Sequence, residues 1–281
     1  MTGVLAAPAG VVEGMPGEVY HADLALSSSG AKLLLPPSCP AVYRWRRDNP
    51  EPHKSAYDLG HAAHLQVLGI GPKVKVVDAG DWRTKAAKEA RAEAYAAGEV
   101  PLLAEQWADV RAMAEELARH PMAAALLNPD HGRPELSLFW NDRPTGVAKR
   151  ARLDWLHQRA GGRTVAVDYK TTTSAHPDAL SKTVNSFGYH TQGAWYLDGV
   201  QALDLGDPDT LFVLIFQEKQ PPYLVNCVQL DPHALRTGRD LAGWATQIFA
   251  DCTAADSWPG YGTDIDYVSL PPWAEHREGA L

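Results

Sequence analysis

The stretch 146–173, GVAKRARLDWLHQRAGGRTVAVDYKTTT, decides how this chain folds. Residues 146–157 and 163–170 are apolar-rich runs bounded by turn residues, so they are predicted to be two strands. Ala160, Gly161 and Gly162 can close them as a three-residue hairpin loop in which glycine supplies the positive φ. That loop puts Arg159 against Arg163, and the same register puts Asp154 directly opposite Asp168 on one face. Directly opposed residues hold their Cβ atoms about 5 Å apart. Two carboxylates at that spacing repel unless something positive joins them, and a hard divalent cation is the usual answer. Lys170, two residues past Asp168, shares the face. A metal, two carboxylates and a lysine suit hydrolysis of a phosphodiester. The metal would polarise the phosphate and lower the pKa of its water, and the lysine would position that water or stabilise developing charge. A plain surface hairpin with an acid–lysine pair fits the same letters, so the rest of the chain has to decide.

Downstream, residues 177–203 read as helix weakened at Gly188. Leu211–Glu218 and Tyr223–Leu230 read as a hairpin around Pro221 and Pro222. Asp231 followed by Pro232 marks an N-cap and first helical position, opening a helix that runs to about Asp251. The tail after it is aromatic and turn-rich and is expected to pack back on the body. Upstream, Glu135–Asn141 reads as a third strand. Residues 81–127 are rich in Ala, Glu, Arg and Lys and read as two helices split near Gly98–Pro101. Lys73–Val77 is a short strand candidate, and Ser55–Leu68 a helix closed by Gly69. Ser27 to Ser29 can cap a short helix over Gly30–Leu35 that Pro36 and Pro37 stop. Residues 1–26 read as irregular. The fold class that follows is α/β, with a central mixed sheet flanked by helices in one domain. Its helical N-terminal part, about 27–128, should pack on a core of about 133–273.

Other residues bear on the site. On the helix 55–68, His64 borders the buried stripe one turn from Gly60 and from Leu68. It can add a nitrogen ligand or be a boundary histidine. His61 shares its face at i, i−3, which allows a two-histidine site without the HExxH spacing. Gln192 and Tyr196 form an i, i+4 polar pair that can donate to phosphate oxygens without adding charge, or simply pack. Glu135 precedes the apolar run LSLFW and can be a further ligand, an acceptor behind the metal, or an exposed strand-end acid. Arg44, Arg46 and Arg47, interleaved with Tyr43 and Trp45, can grip a DNA backbone and stack on bases. Lys149, Arg150 and Arg152 can do the same. A solvated helix face is the other reading of the arginine run.

Composition sets the outer limits. The chain has 281 residues, 45% hydrophobic and 21% charged, which is ordinary globular usage and excludes collagen, coiled coil and pervasive disorder. No window approaches the roughly 18 apolar residues of a membrane span, and the first residues lack a basic leader. Cys39, Cys227 and Cys252 are far apart with no CxxC, so neither a disulfide framework nor a cysteine metal site is expected, and the cytoplasm is the expected compartment. Twenty-six basic against 34 acidic residues give a formal charge of −8. That balance disfavours a general grip on nucleic acid but leaves room for a nuclease with an acidic site and a local basic surface.

Taken in order, GHAAH (60–64), PELSLFW (134–140), RLDWL (152–156), VDYKTTT (167–173) and QGAWY (192–196) resemble the RecB-like branch of the PD-(D/E)XK nuclease superfamily. The opening YHADLALSSSGAKLLLPPSCPAVYRWRRD and the closing WPGYGTDIDYVSLPPWA resemble its exonuclease VIII (RecE-type) group, often carried by phages and prophages. The likeness runs from about Val19 to Trp273. It implies that His64, Asp154, Asp168 and the main-chain carbonyl of Tyr169 hold Mg²⁺, with Mn²⁺ able to substitute. It implies that Lys170 is the catalytic lysine, Glu135 an acid near the metal, and Gln192 and Tyr196 the phosphate-side helix pair. Asp168 stands where many relatives carry Glu. The implied activity is exonuclease resection of double-stranded DNA ends, 5′→3′, for recombination with a RecT-like single-strand annealing protein, by a trimeric or tetrameric ring. Endonuclease or single-strand nuclease action on the same site, and a catalytically silent DNA-binding module, are the competing expectations. Against the silent module, a fold without catalysis has no physical need for a clustered acid pair.

Overall fold

A computed structural model describes residues 9–50 and 53–271. Its centre is a seven-stranded mixed sheet built on the predicted hairpin. In chain order the strands are β1 (Gly10–Val12), β2 (Leu26–Ser27), β3 (Val74–Val77), β4 (Val100–Leu103), β5 (Gly132–Asn141), β6 (Ala148–His157), β7 (Val165–Thr172), β8 (Leu211–Glu218) and β9 (Val225–Gln229). The large sheet runs β1-β5-β6-β7-β8-β9, with β2 also joined to β6, while β3 and β4 form a separate parallel pair. Pairing in the large sheet is antiparallel except between β7 and β8 and between β2 and β6.

The helices are α1 (Gly17–Ala22), α2 (Ser28–Leu34), α3 (Pro40–Asp48), α4 (Asp58–Leu68), α5 (Lys85–Ala96), α6 (Ala104–Arg119), α7 (Pro121–Leu126), α8 (Pro177–Phe187), α9 (Tyr189–Ala202) and α10 (Pro232–Ala255). Among the described residues no helix is long and apolar enough to cross a membrane. The caps follow the sequence. Ser27 Oγ accepts from the Gly30 amide at 3.1 Å, and Asp231 Oδ1 from the Ala234 amide at 2.7 Å. The helical stretch 177–203 is two helices broken at Gly188.

Each face of the sheet is covered. On one side Leu136, Leu138, Leu153, Leu156, Phe212 and Phe216 pack with Trp195 and Val200 of α9 and with Ala245 and Phe249 of α10. On the other, Val165, Val167, Tyr169 and Ile215 pack with Ala63 and Leu68 of α4, Met113 and Leu117 of α6, and Ala123 of α7. The site described below lies where these two layers meet at the sheet.

Three expectations need correcting. The opening residues are not irregular throughout: β1 pairs with β5, and β2 with β6. Residues 100–103, Val-Pro-Leu-Leu, are a buried strand between two helices rather than a simple break. A strand of four residues cannot show its period, and its proline masks it. The tail returns to the body only in part. Trp258 stacks on Tyr43 and Tyr261 Oη donates to Pro37 O, but Ile265 and Tyr267 are fully exposed. Residues 272–281, including Trp273, lie outside the described residues.

Candidate active site

The hairpin folds in the predicted register. His157 faces Val165 and Trp155 faces Val167, which makes Asp154 and Asp168 next in line. Gly161 takes φ +70° in the loop, as the closure requires. The ladder stops there. β6 continues beside β5 and takes β2 on its freed edge, while β7 continues beside β8. The two strands fork at the acid pair, and Asp154 Oδ2 accepts the Tyr169 amide at 2.8 Å, the role a ladder carbonyl would otherwise fill.

Glu135 extends the row. Pro134 faces Trp155 and Leu136 faces Leu153, so Glu135 sits opposite Asp154 with no residue inserted. Its φ is +47°, which interrupts the strand at one residue. Such a conformation in a non-glycine residue costs on the order of 1–3 kcal/mol and persists only where surrounding structure imposes it. Glu135, Asp154 and His64 offer ligand atoms all within 4.8 Å of one another. Burial, and then the neighbouring Asp154, push the Glu135 carboxyl above its ordinary value. Arg152 Nη1 lies 3.7 Å from Glu135 Oε2 and offsets part of that charge. His64 Nδ1 is 3.8 Å from Asp154 Oδ2, and its ring meets Tyr169 edge-on at 5.2 Å.

Asp168 is fully buried. Gln192 Nε2 donates to its Oδ1 at 2.9 Å. Lys170 Nζ stands 2.6 Å from Oδ2, so both oxygens of this buried carboxylate are engaged. Burial dominates and raises the Asp168 pKa to about 6, against the pull of Lys170. For Lys170, burial opposes the ammonium, yet Asp168 and Asp154 outweigh it and hold its pKa above the ordinary value. Glu135, Asp154 and His64 form a donor set that fits a hard divalent cation, and Asp168 lies close by with its own oxygens engaged by Gln192 and Lys170.

Gln192 also donates to Tyr196 Oη at 2.8 Å, so the predicted helix pair does meet the predicted acid. The reach depends on Gly193. A Cβ there would sit 2.5 Å from Phe212 Cδ1, so only glycine lets α9 lie this close to β8. Tyr169, the remaining expected ligand, buries its ring, and its Oη donates to Gln217 Oε1.

The basic residues divide. Arg44 pairs with Asp48 at 2.8 Å on exposed α3, and Arg46 and Arg47 line a surface pocket beside it. Arg150 is buried and Arg152 only partly exposed. Their strand has neighbours on both edges, and the segment before β2 covers them. Both guanidinium groups stack over Tyr20, at 4.7 and 4.4 Å, and Arg152 Nη2 donates to Met15 O at 2.7 Å. Lys149 is likewise buried between Asp198 and Asp142. The sequence held no signal for Tyr20, which acts across more than a hundred residues. Nor did it mark Tyr189, whose ring lies 5.6 Å from Lys170 Nζ. Tyr189, Phe187, Lys219 and His64 line a cleft of about 820 Å³ that opens onto Lys170.

The comparisons with known proteins agree with this geometry. Residues 29–271 match the family model described as a PDDEXK-like domain of unknown function (DUF3799). A crystal structure from Eubacterium rectale, of a protein provisionally named an exonuclease, superposes with a TM-score of 0.59 at 11% identity, covering 94% of this chain and 96% of that one. At that identity the likeness speaks for the fold. No curated protein matches the chain in sequence. With the family model spanning most of its length and the acid–acid–lysine set assembled at the strand fork, the chain belongs to the PDDEXK-like family and has the fold of the PD-(D/E)XK nucleases.

Proposed function

We propose that this protein is a metal-dependent exodeoxyribonuclease that resects double-stranded DNA ends, 5′→3′, for recombination by single-strand annealing. The observation that carries the hydrolytic reading is the cluster of Glu135, Asp154 and His64 beside Asp168, whose partner Lys170 lines an open cleft. Mg²⁺ held there by Asp154, Asp168 and His64, with Glu135 beside it, would polarise a phosphate and acidify a bound water. Lys170 is kept charged by its two acids, so it serves as a fixed cation that stabilises negative charge on the reacting phosphate rather than as a base. Gln192 holds Asp168 in place. Tyr196 accepts from Gln192, which leaves its own hydroxyl proton to donate to a phosphate oxygen.

The preference for duplex ends, the polarity, a RecT-like annealing partner and a ring of three or four chains rest on the exonuclease VIII resemblance; the structural neighbour's name adds only exonuclease action. A single subunit of charge −8 grips duplex weakly, and a ring would gather Arg44, Arg46 and Arg47 of each copy around one channel. One feature favours single-strand cleavage instead. Phe187 and Tyr57 are exposed along the cleft, and Phe187 stacks on Tyr189 at 5.6 Å, an arrangement that suits unpaired bases. Linear duplex, single strands and covalently closed duplex, each with Mg²⁺ and with EDTA, separate these readings. Progressive loss of linear duplex alone, abolished by EDTA, is the expected result. Nicking of closed circles, or digestion of single strands only, would overturn the end-resection reading.

A further inference from the structure

We propose that His53, Asp58 and His61 form a second metal site, selective for Zn²⁺, that is separate from the carboxylate site. The histidine pair on α4 splits in the structure. His64 turns to Asp154, whereas His61 turns to His53, with ring centroids 5.6 Å apart. Asp58, one helical turn before His61, completes a set whose donor atoms all lie within 4.8 Å of one another. Two imidazoles on one tetrahedral zinc, with Zn–N of about 2.0–2.1 Å, place their centroids roughly 5 Å apart and their donor atoms about 3.3 Å apart. His53 Nε2 and Asp58 Oδ1 now stand at 2.6 Å, so a small opening of that pair and a small closing of His61 bring all three onto one ion.

The surroundings match a metal ligand set. Asp58 is buried, and its second oxygen accepts from Tyr95 Oη at 2.6 Å, the outer hydrogen bond that orients a ligating carboxylate. His53 and His61 lie at the surface, and His61 borders the open cleft, which leaves the fourth position to water. Two imidazoles and one carboxylate favour zinc, whereas the acid-rich site favours Mg²⁺. The ion would tie the segment carrying His53 to the first turn of α4, one turn before His64.

Metal analysis of tag-free, chelator-stripped protein re-equilibrated with Zn²⁺ in excess Mg²⁺ tests the assignment. The expected result is one retained zinc per chain in the wild type and in an Asp154→Asn/Asp168→Asn double variant, and none in His53→Ala or His61→Ala. Tyr95→Phe should weaken zinc roughly tenfold, as loss of an outer-shell partner does. Zinc retained by His61→Ala, or lost in the double variant, would overturn the proposal. Should the histidine variants fail to fold, Co²⁺ on the wild type decides. Intense tetrahedral visible bands that Zn²⁺ displaces and Mg²⁺ does not are expected. Only weak octahedral bands would overturn the site. Neither readout depends on nuclease activity, so failure here leaves the hydrolytic reading untouched.

Discussion

Two lysines, Lys149 buried on β6 and Lys170 partly buried on β7, each lie 2.6 Å from a carboxylate, yet they belong to different kinds of structure. Around Lys149 every charge is answered. Asp198 and Asp142 accept from it, Trp140 Nε1 donates to Asp198, Thr145 donates to Asp142, and the ammonium lies 4.2 Å from the Trp195 ring centroid. Asp198 is half-exposed, so water carries part of its negative charge. Around Lys170 the acids crowd together: Asp168 is fully buried, Glu135 and Asp154 are partly buried and cluster with His64, and Glu135 sits on a strained backbone. An ion pair alone therefore marks nothing. Buried negative charge in excess of its partners, held where the strands part, marks the place that needs a cation.

The sharpest break of this comparison is mutational. Lys170→Ala, Asp154→Ala and Asp168→Ala should each lower the DNA hydrolysis rate by three or more decades while the fold survives, since several kcal/mol of transition-state stabilisation go with them. Lys149→Ala should instead leave the turnover of folded protein nearly unchanged and lower its thermal stability, because it strands a partly buried Asp142. Rates and melting curves of the four variants check this; near-normal turnover in any of the first three would remove the assignment. One step smaller, His64→Ala should raise the Mg²⁺ concentration needed for half-maximal activity about tenfold or more. His61→Ala should barely move it, because only His64 faces Asp154.

A pH series sharpens the contrast further. Burial raises the Asp168 pKa to about 6, so the folded apoprotein binds this proton more tightly than the unfolded chain does. Its contribution to stability is full below the ordinary aspartate pKa and is lost as pH rises through about 6. In EDTA, the melting temperature should therefore fall across that window. Asp168→Asn should flatten the fall, and Mg²⁺ should reverse it by stabilising the ionised form. An identical pH slope in the variant would show that Asp168 is not the group. The smallest effect concerns Glu135. Glu135→Gly relieves the positive φ and should stabilise the metal-free protein by up to about 1 kcal/mol while weakening Mg²⁺ activation.

What was readable in the letters is what short-range chemistry governs. The glycine loop at 160–162 sets the hairpin register, which aligns Asp154 with Asp168 and Lys170 before any tertiary contact is known. Asp231–Pro232 and Ser27 announce their helices because a cap is a contact over three residues. Gln192 and Tyr196 are neighbours by helical spacing alone. The arginines show the limit. Arg150 and Arg152 look like a basic strand in sequence, and only the arrival of Tyr20 and Met15 from the N-terminal segment turns them into interior supports. The sequence singles out His64 beside the buried stripe, but only the fold shows His61 turning away from it to His53.

The residue types and their local order thus settle a mixed α/β sheet with an acid–acid–lysine hairpin, because hydrophobic period, turn closure and capping each act within a few residues. Tertiary structure alone settles that β6 and β7 fork there, that β2 takes the freed edge, and that Glu135 twists into line with Asp154. It also brings α4 and α9 to the acids from opposite faces of the sheet. Those features come from packing between segments far apart in the chain, where many pairings satisfy the same local pattern and only the whole core selects one.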